Sequence, residues 1–479
     1  MTWHTLVLDV YERRLGSRRA AQSFLAGGAP PDPGDLPQLE AATKRIERAL
    51  RDGETIAIFG HDDADGITSA AVLTEALEQL GGRVVPYVPD RNVEGHGLYP
   101  DLVRRFRDSG ATLLVTTDGC SGNAEEVALA ASIGLDVWVT DHHEITDVGR
   151  APSRLVNPKA DPETSRLRGD LTGAGVAALL AQDLLERAGH SKSSWHRLWD
   201  LVALGTIADY GDLARSNRTF VTHGLAAIER GERTALREVA SALGIGGERV
   251  RITAQTRRLA TAFAALPSRD GRSRGLDALL GRASMPADVR ALLDAFGAVE
   301  TERDAVVARA CAEAQRIGAL AGAPTVVVLE QATPRTLGAS ATELVTRTSR
   351  PAAVLFKGDK LIGELRAPEG VHLVDVLNGL RGSLESWGGH RQAAGFSAHP
   401  RDTDAIVRGL TDAFRAVAAA SPAPPAAVIT MQRTEIDARF RRSLRAAAPF
   451  GKGNEAPFFR VDGELRSAED LLTEAEADS

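Results

Sequence analysis

Cysteine is nearly absent: Cys120 and Cys311 are the only two in 479 residues, and no Cys-x-x-Cys spacing occurs. That excludes a zinc ribbon and fits a reducing compartment. Long apolar runs are missing as well. No stretch approaches the roughly 20 residues that span a bilayer. The opening segment Met1-Thr2-Trp3-His4-Thr5-Leu6-Val7-Leu8 lacks the basic start and long apolar core of a signal peptide. The expected location is cytoplasmic, with no membrane partner. Nor is there an excess of basic charge. With 57 Lys and Arg against 64 Asp and Glu, the net charge is −7, which argues against wholesale coating of nucleic acid. A local positive groove stays open, because arginines cluster at Arg13-Arg14, Arg257-Arg258 and Arg439-Phe440-Arg441-Arg442. Each cluster alone also reads as a solvated helix face.

What is present is an ordinary globular composition, 43% apolar and 25% charged, in a chain too long for one core. Residues 1–50 read as an N-terminal helical segment broken by a loop at Gly27–Gly34. From Glu54 the pattern alternates between strand and helix. Strands are expected at Thr55–Phe59, Arg83–Val88, Thr112–Thr117 and Asp136–Thr140. Helices are expected at Thr68–Leu80, Asn123–Ile133, Leu171–Ala188 and Trp195–Ile207. Such alternation predicts an α/β fold with a parallel sheet covered on both faces, here over residues 51–225. Residues 226–320 read as a helical connector. A smaller αβ unit is expected over 321–420, with strands near Pro324–Leu329, Ala352–Phe356 and Lys360–Arg366 and a glycine turn at Trp387-Gly388-Gly389-His390. Residues 421–479 read as a linker, Ser421-Pro422-Ala423-Pro424-Pro425-Ala426, then a short C-terminal segment with a frayed acidic end.

Three acidic clusters fall where expected strands end: His61-Asp62-Asp63-Ala64-Asp65-Gly66, Asp118-Gly119 and Asp141-His142-His143. The carboxyl ends of parallel strands face one crevice, so these residues should converge. Residues two apart in extended chain point the same way, which lets His61, Asp63 and Asp65 share a pocket. Oxygen ligands with imidazole suit Mn²⁺ or Mg²⁺, and two such ions can clamp an in-line phosphoryl displacement. Any one cluster is equally an ordinary turn or helix cap. Their coincidence at three strand ends points to a metal-dependent enzyme acting on phosphodiesters. Cys120, beside Asp118, reads as a small packing residue.

Asp141-His142-His143 resembles the signature triplet of the DHH phosphoesterases, and the order of the surrounding motifs is similar to the RecJ branch, the single-strand-specific 5′→3′ DNA exonucleases. The matching stretches are Gly60–Thr68, Pro89–Leu98, Thr116–Gly119, Thr140–His143, Asn157-Pro158, Leu201–Asp209, Gly388–His390 with Ala393–Gly395, and Pro449–Asn454. The resemblance implies a DHH catalytic domain and a DHH-associated (DHHA1) substrate domain. It implies two divalent cations, Mn²⁺ or Mg²⁺, one held by His61, Asp63 and Asp118 and the other by Asp65, Asp118, His142 and Asp209. Asp141 and His143 would orient ligands or face the phosphoryl oxygens. Arg91, Arg366, Gly388, Gly389 and His390 would contact substrate. The implied substrate is single-stranded nucleic acid, DNA before RNA, with replication or repair proteins as partners and a role in repair or recombination.

This chain departs from that pattern in four places. His61 stands where the branch usually has Asp. The connector's Asn-Ala-Ala-Gly-Arg stretch has only Ala264–Arg272 as a counterpart. The phosphate turn Gly-Ser-x-Arg-Ser is here Gly363-Glu364-Leu365-Arg366-Ala367. Too few residues follow Asn454 for a full OB-fold, which leaves an OB-like remnant. Two rivals follow: a DHH phosphodiesterase of short oligoribonucleotides or cyclic dinucleotides, and a catalytically silent binding module in replication.

Overall fold

The computed structural model describes residues 2–27, 31–94, 97–145, 148–245, 251–282, 287–368, 370–417 and 428–477. The expected linker at 421–426 lies outside the described residues. Two compact units result, residues 1–293 with 425–479, and residues 294–424.

In the first unit, β1 (Thr55–Gly60), β2 (Arg83–Tyr87), β3 (Ala111–Thr117), β4 (Asp136–Thr140) and β5 (Leu155–Val156) form a parallel sheet of order β2-β1-β3-β4-β5. Ile56, Ala57, Ile58 and Phe59 are all buried, as expected for a strand covered on both faces. The chain leaves β1 toward β2 and returns to the other side of β1 as β3. The direction of winding therefore reverses between β1 and β3, the place where an open parallel sheet forms its binding crevice.

The helix after β1 runs Ala64–Gln79, four residues ahead of the expected start at Thr68. Asp63 caps it by accepting from Gly66 N at 2.9 Å, so Asp65 and Gly66 belong to the first turn. The single helix expected at Trp195–Ile207 is two, Lys192–His196 and Trp199–Ala208. Leu198 N bonds back three residues to Trp195 O at 3.0 Å, which tightens and interrupts the helix.

The second unit holds β6 (Thr325–Leu329), β7 (Ala352–Lys357), β8 (Leu361–Arg366), β9 (Ser386–Gly389) and β10 (Ala393–Ala398), ordered β6-β7-β8-β10-β9. Only β6 and β7 pair in parallel. One face packs Leu337, Ala341 and Leu344 of the helix Pro334–Thr348, and the other packs Leu373, Leu377, Leu410 and Phe414. The glycines expected in a plain turn are in a strand: Gly388 pairs with Gly395 and Gly389 with Ala394. Gly389 is required by close approach, since its φ is 131° and a Cβ would fall 2.4 Å from Ala393 O. The boundary between the units falls within the helix Ala287–Arg316, inside the expected connector.

Beyond residue 428 the reading of a short tail needs correcting. Strands β11 (Ile429–Met431), β12 (Phe458–Val461) and β13 (Glu464–Ser467) form a small mixed sheet, and the acidic end is the helix Ala468–Ala477, with Leu471 and Leu472 buried. Its apolar face shares a core with the N-terminal helices through Val7, Tyr11, Leu25, Phe440, Leu444 and Phe459. Sequence periodicity could not reveal this pairing, because the partners are some 400 residues apart.

Arg218 pins the arrangement. Its guanidinium donates to Phe24 O at 3.0 Å and to Ala446 O and Ala448 O, and lies 4.0 Å from the Phe24 ring centroid. Burial pushes its pKa down to about 10. We expect Arg218→Met to lower the stability of this unit by roughly 2–4 kcal/mol, since three carbonyls lose their donor. A urea midpoint indistinguishable from wild type would contradict the assignment.

Candidate metal centre

The turn after β1 is set by glycine. A Cβ on Gly66 would fall 2.4 Å from His61 Cβ, and one on Gly60 would fall 2.8 Å from Ala70 Cβ. The chain therefore folds tightly over the first turn of the following helix. His61 Nδ1 lies 3.0 Å from Asp63 Oδ2. Asp65, only 3% exposed, points the other way, toward the start of the helix Gly173–Arg187. Gly173 N and Ala174 N donate to its Oδ2 and Oδ1 at 2.7 and 2.9 Å. A helix N-terminus is a natural seat for a carboxylate. Space is minimal here: a Cβ on Gly173 would fall 2.6 Å from Asp118 Cβ, and one on Gly205 would fall 2.4 Å from Asp65 Oδ1.

Asp118 follows β3 with φ 59°, a left-handed conformation that Asp tolerates better than most residues. His142 follows β4, and its Nδ1 faces Leu171 O at 3.1 Å. A carbonyl can only accept, so Nδ1 carries the proton and Nε2 presents a lone pair. That Nε2 lies 3.0 Å from Asp118 Oδ1, 3.7 Å from Asp65 Oδ2 and 3.9 Å from Asp209 Oδ2. Asp118 Oδ1 receives no well-directed hydrogen bond. Acceptor atoms of four residues thus converge on one place.

Electrostatics tell the same story. Burial, and then repulsion from Asp209 and Asp63, holds the Asp65 carboxyl well above its usual range. Burial and Asp65 do the same to Asp118. Burial raises Asp209 to about 6. Burial and the charge of His143 push His142 well below its normal value. Carboxylates packed this way need a cation among them.

Two ligand groups satisfy that need: His61, Asp63 and Asp118, and Asp65, Asp118 and His142, each with donor atoms within 4.8 Å of one another. Asp118 belongs to both. With bonds of about 2.1 Å, ligand atoms around an octahedral ion lie about 3.0 Å apart when cis and about 4.2 Å when trans. The spacings around His142 fall in that window. Oxygen and imidazole donors without thiolate suit Mn²⁺ or Mg²⁺.

Asp141 and His143 form a different pair. His143 Nδ1 lies 2.7 Å from Asp141 Oδ1, which also accepts from His142 N at 2.7 Å and His143 N at 3.1 Å. Ser121 N donates to Asp141 Oδ2 at 3.1 Å. Burial opposes ionisation of both groups, yet mutual attraction wins: His143 rises to about 9 and Asp141 drops far below its usual range. Asn157 ties the triplet down, donating to His143 O at 3.0 Å and Ser121 Oγ at 3.1 Å. Cys120 is buried, and burial pushes its thiol up to about 12.

Arg366, Gly388, Gly389 and His390 are in the second unit, where Arg366 Nη1 pairs with Glu364 Oε2 at 2.9 Å and His390 N donates to Ala393 O at 2.7 Å. Arg91 begins a short helix, Arg91–Glu94, and its side chain lies outside the described residues. Sequence reasoning missed Glu94, which anchors this segment by accepting from Tyr87 and Tyr99 hydroxyls at 2.5 and 3.1 Å and from Asp90 N at 2.9 Å. It also missed Leu171 O and the Gly173 and Ala174 amides, since backbone groups leave no mark in side-chain patterns.

Burial and the neighbouring carboxylates make Asp118 ionise less readily when folded than when unfolded, so it destabilises the metal-free protein above the unfolded value, and stability rises as pH falls through the folded pKa toward the unfolded one. Asp118→Asn should therefore stabilise the protein in EDTA by roughly 1–2 kcal/mol. The same change should abolish the rise in Tm that Mn²⁺ gives the wild type. A variant less stable in EDTA, or still stabilised by Mn²⁺, would overturn this account.

The comparisons with known proteins agree with this layout. The DHH family N-terminal domain model matches residues 55–206 and the DHHA1 domain model matches residues 323–416. The chain is 32% identical over 379 residues to the single-stranded-DNA-specific exonuclease RecJ of Bacillus subtilis, covering 78% of this chain and 47% of that protein. It therefore spans about half the length of that relative. Against the Haemophilus influenzae exonuclease RecJ it is 30% identical over 390 residues, covering 76% of this chain and 67% of that one. A crystal structure of exonuclease RecJ bound to manganese superposes with a TM-score of 0.62 at 30% identity, covering 79% of this chain and 95% of that one. Fold, ligand geometry and relatives thus converge, and the chain belongs to the RecJ family of DHH proteins.

Proposed function

We propose that the protein is a Mn²⁺- or Mg²⁺-dependent exonuclease that removes nucleotides from the 5′ end of single-stranded DNA, working in the cytoplasm beside replication or repair proteins. The observation that carries this reading is the convergence of His61, Asp63, Asp65, Asp118 and His142 into two ligand groups sharing Asp118. The relatives named RecJ supply the substrate class. Residues 51–225 carry the chemistry in this reading, residues 321–420 hold substrate, and residues 226–320 connect them.

His61, Asp63 and Asp118 would hold one cation, and Asp65, Asp118, His142 and Asp209 the other. When bound, the cations supply Lewis acidity for the phosphoryl oxygens and make water a better nucleophile near neutral pH. The Leu171 carbonyl fixes the His142 tautomer, and the Gly173 and Ala174 amides aim the Asp65 carboxylate. Asp141 keeps His143 protonated at neutral pH, so an imidazolium is available for charge developing on the phosphoryl group. Arg91, Arg366 and the Gly388-Gly389-His390 hairpin would contact the strand. The Glu364–Arg366 ion pair favours a second reading, a phosphodiesterase of short substrates, because Glu364 already occupies the guanidinium.

With Mn²⁺, the wild type should release mononucleotides from the 5′ end of a long single strand, leave blunt duplex intact and turn over dinucleotides more slowly. Faster hydrolysis of dinucleotides than of the long strand would select the second reading; no hydrolysis of either would sink both. Asp65→Ala should cut kcat by about 10³-fold or more and His143→Ala by about 10²-fold, each on a folded protein.

A further inference from the structure

Tyr210 directly follows Asp209, and its ring has no task in the reading above. It is 55% exposed and its backbone sits at φ 53°, a left-handed conformation unusual for an aromatic residue. The Arg257 guanidinium lies 4.9 Å from the ring centroid. A cation therefore backs one face, and the exposed area belongs to the other face and the edge. Tyr210 and Arg257 line a shallow hollow together with Thr206, Gly211, Gly451 and Lys452. The hollow measures about 20 Å³, room for one water and not for a base. A flat ligand would lie on the ring rather than enter behind it.

Lys452 comes from the loop Pro449–Asn454, a stretch singled out in the sequence that the metal centre does not use. The loop is rigidly held. Asn454 Nδ2 donates to Ala447 O at 2.9 Å and Pro449 O at 2.8 Å, and Tyr11 OH donates to Asn454 Oδ1 at 2.9 Å. Leu213 N donates to Lys452 O at 2.8 Å. A Cβ on Gly453 would fall 2.1 Å from Asp212 Oδ1, so only glycine lets the loop lie this close. The bond to Leu213 sets Lys452 beside the segment that leads on from Asp209. An exposed aromatic face and two cationic side chains thus adjoin a residue of the metal cluster, on a surface whose chain is fixed by hydrogen bonds.

We propose that Tyr210, backed by Arg257, is a stacking platform for a nucleobase of the single strand beside the metal centre, with Lys452 meeting the adjoining phosphate. This rests on the single-strand exonuclease reading and adds to it a site for one base. Every base has a π-face, so the platform grips a strand without reading its sequence, while Lys452 complements its backbone charge. Duplex DNA hides its base faces in the stack, so the same platform favours single strands.

The test compares wild type, Tyr210→Ala, Tyr210→Trp and Arg257→Met on two strands, one normal and one carrying abasic tetrahydrofuran residues at its first four positions. Tyr210→Ala should raise KM on the normal strand about 5- to 100-fold with kcat little changed. Tyr210→Trp should restore wild-type KM, and Arg257→Met should fall between. On the abasic strand all four should share one KM, which a merely structural role for Tyr210 would not produce. Equal KM values on the normal strand, or the same loss on both strands, would overturn the platform. Fluorescence anisotropy of the labelled strands in EDTA separates this from the parent reading. A normal strand left uncleaved by wild type yet bound more weakly by Tyr210→Ala would sink the exonuclease and leave the platform standing.

Discussion

The structure is organised around a repulsion. Four residues aim lone pairs at one buried point: His142 Nε2 with Asp118, Asp65 and Asp209 at 3.0 to 3.9 Å. His143, Lys159 and Lys452 pull Asp209 downward, yet burial still holds Asp65, Asp118 and Asp209 above the usual carboxylate range. Left alone, such a cluster would take up protons or spread apart. It persists because three of the four are fixed from behind, Asp65 by two helix amides, His142 by the Leu171 carbonyl, and Asp118 by the end of its strand. The folding free energy of the first unit holds the ligands ready for a cation, a form of preorganisation that costs stability when the cation is absent.

Close approach makes that possible. Gly66, Gly173 and Gly205 each stand where a Cβ would overlap His61, Asp118 or Asp65. The glycines are there for space, since none of the three has positive φ. The same economy of side chain lets the helix Gly173–Arg187 bring its first amides against the acidic cluster. Beside it, the Asp141–His143 pair shows a different solution: one carboxylate, one imidazolium and a set of backbone donors that offset one another.

Much of this was legible in the residues. Four strands of the parallel sheet lie within a residue of their expected limits, because runs such as Ile56–Phe59 and Leu113–Val115 are apolar on both faces. The acidic clusters were visible because ligand chemistry requires side chains. Three things were hidden. Asp63 works as a cap and Asp65 sits inside the first helical turn, so the helix started earlier than the apolar spacing suggested. Gly388 and Gly389 extend a strand because their partner, Ala394-Gly395, is small enough to accept them, a fact that belongs to the pairing and not to either segment. The C-terminal fold depended on helices at the other end of the chain.

That shared core has a consequence for synthesis. Val7, Leu8 and Tyr11 emerge from the ribosome early, while Phe440, Phe459 and Leu472 follow more than 400 residues later. At about 5–20 residues per second, the wait is roughly 20–90 s. For most of it, the nascent chain carries a parallel sheet already complete at Val156 and an apolar helical face whose core partners have not yet been made. Such a face is a handle for a chaperone, and it closes only when residues 440–472 have followed.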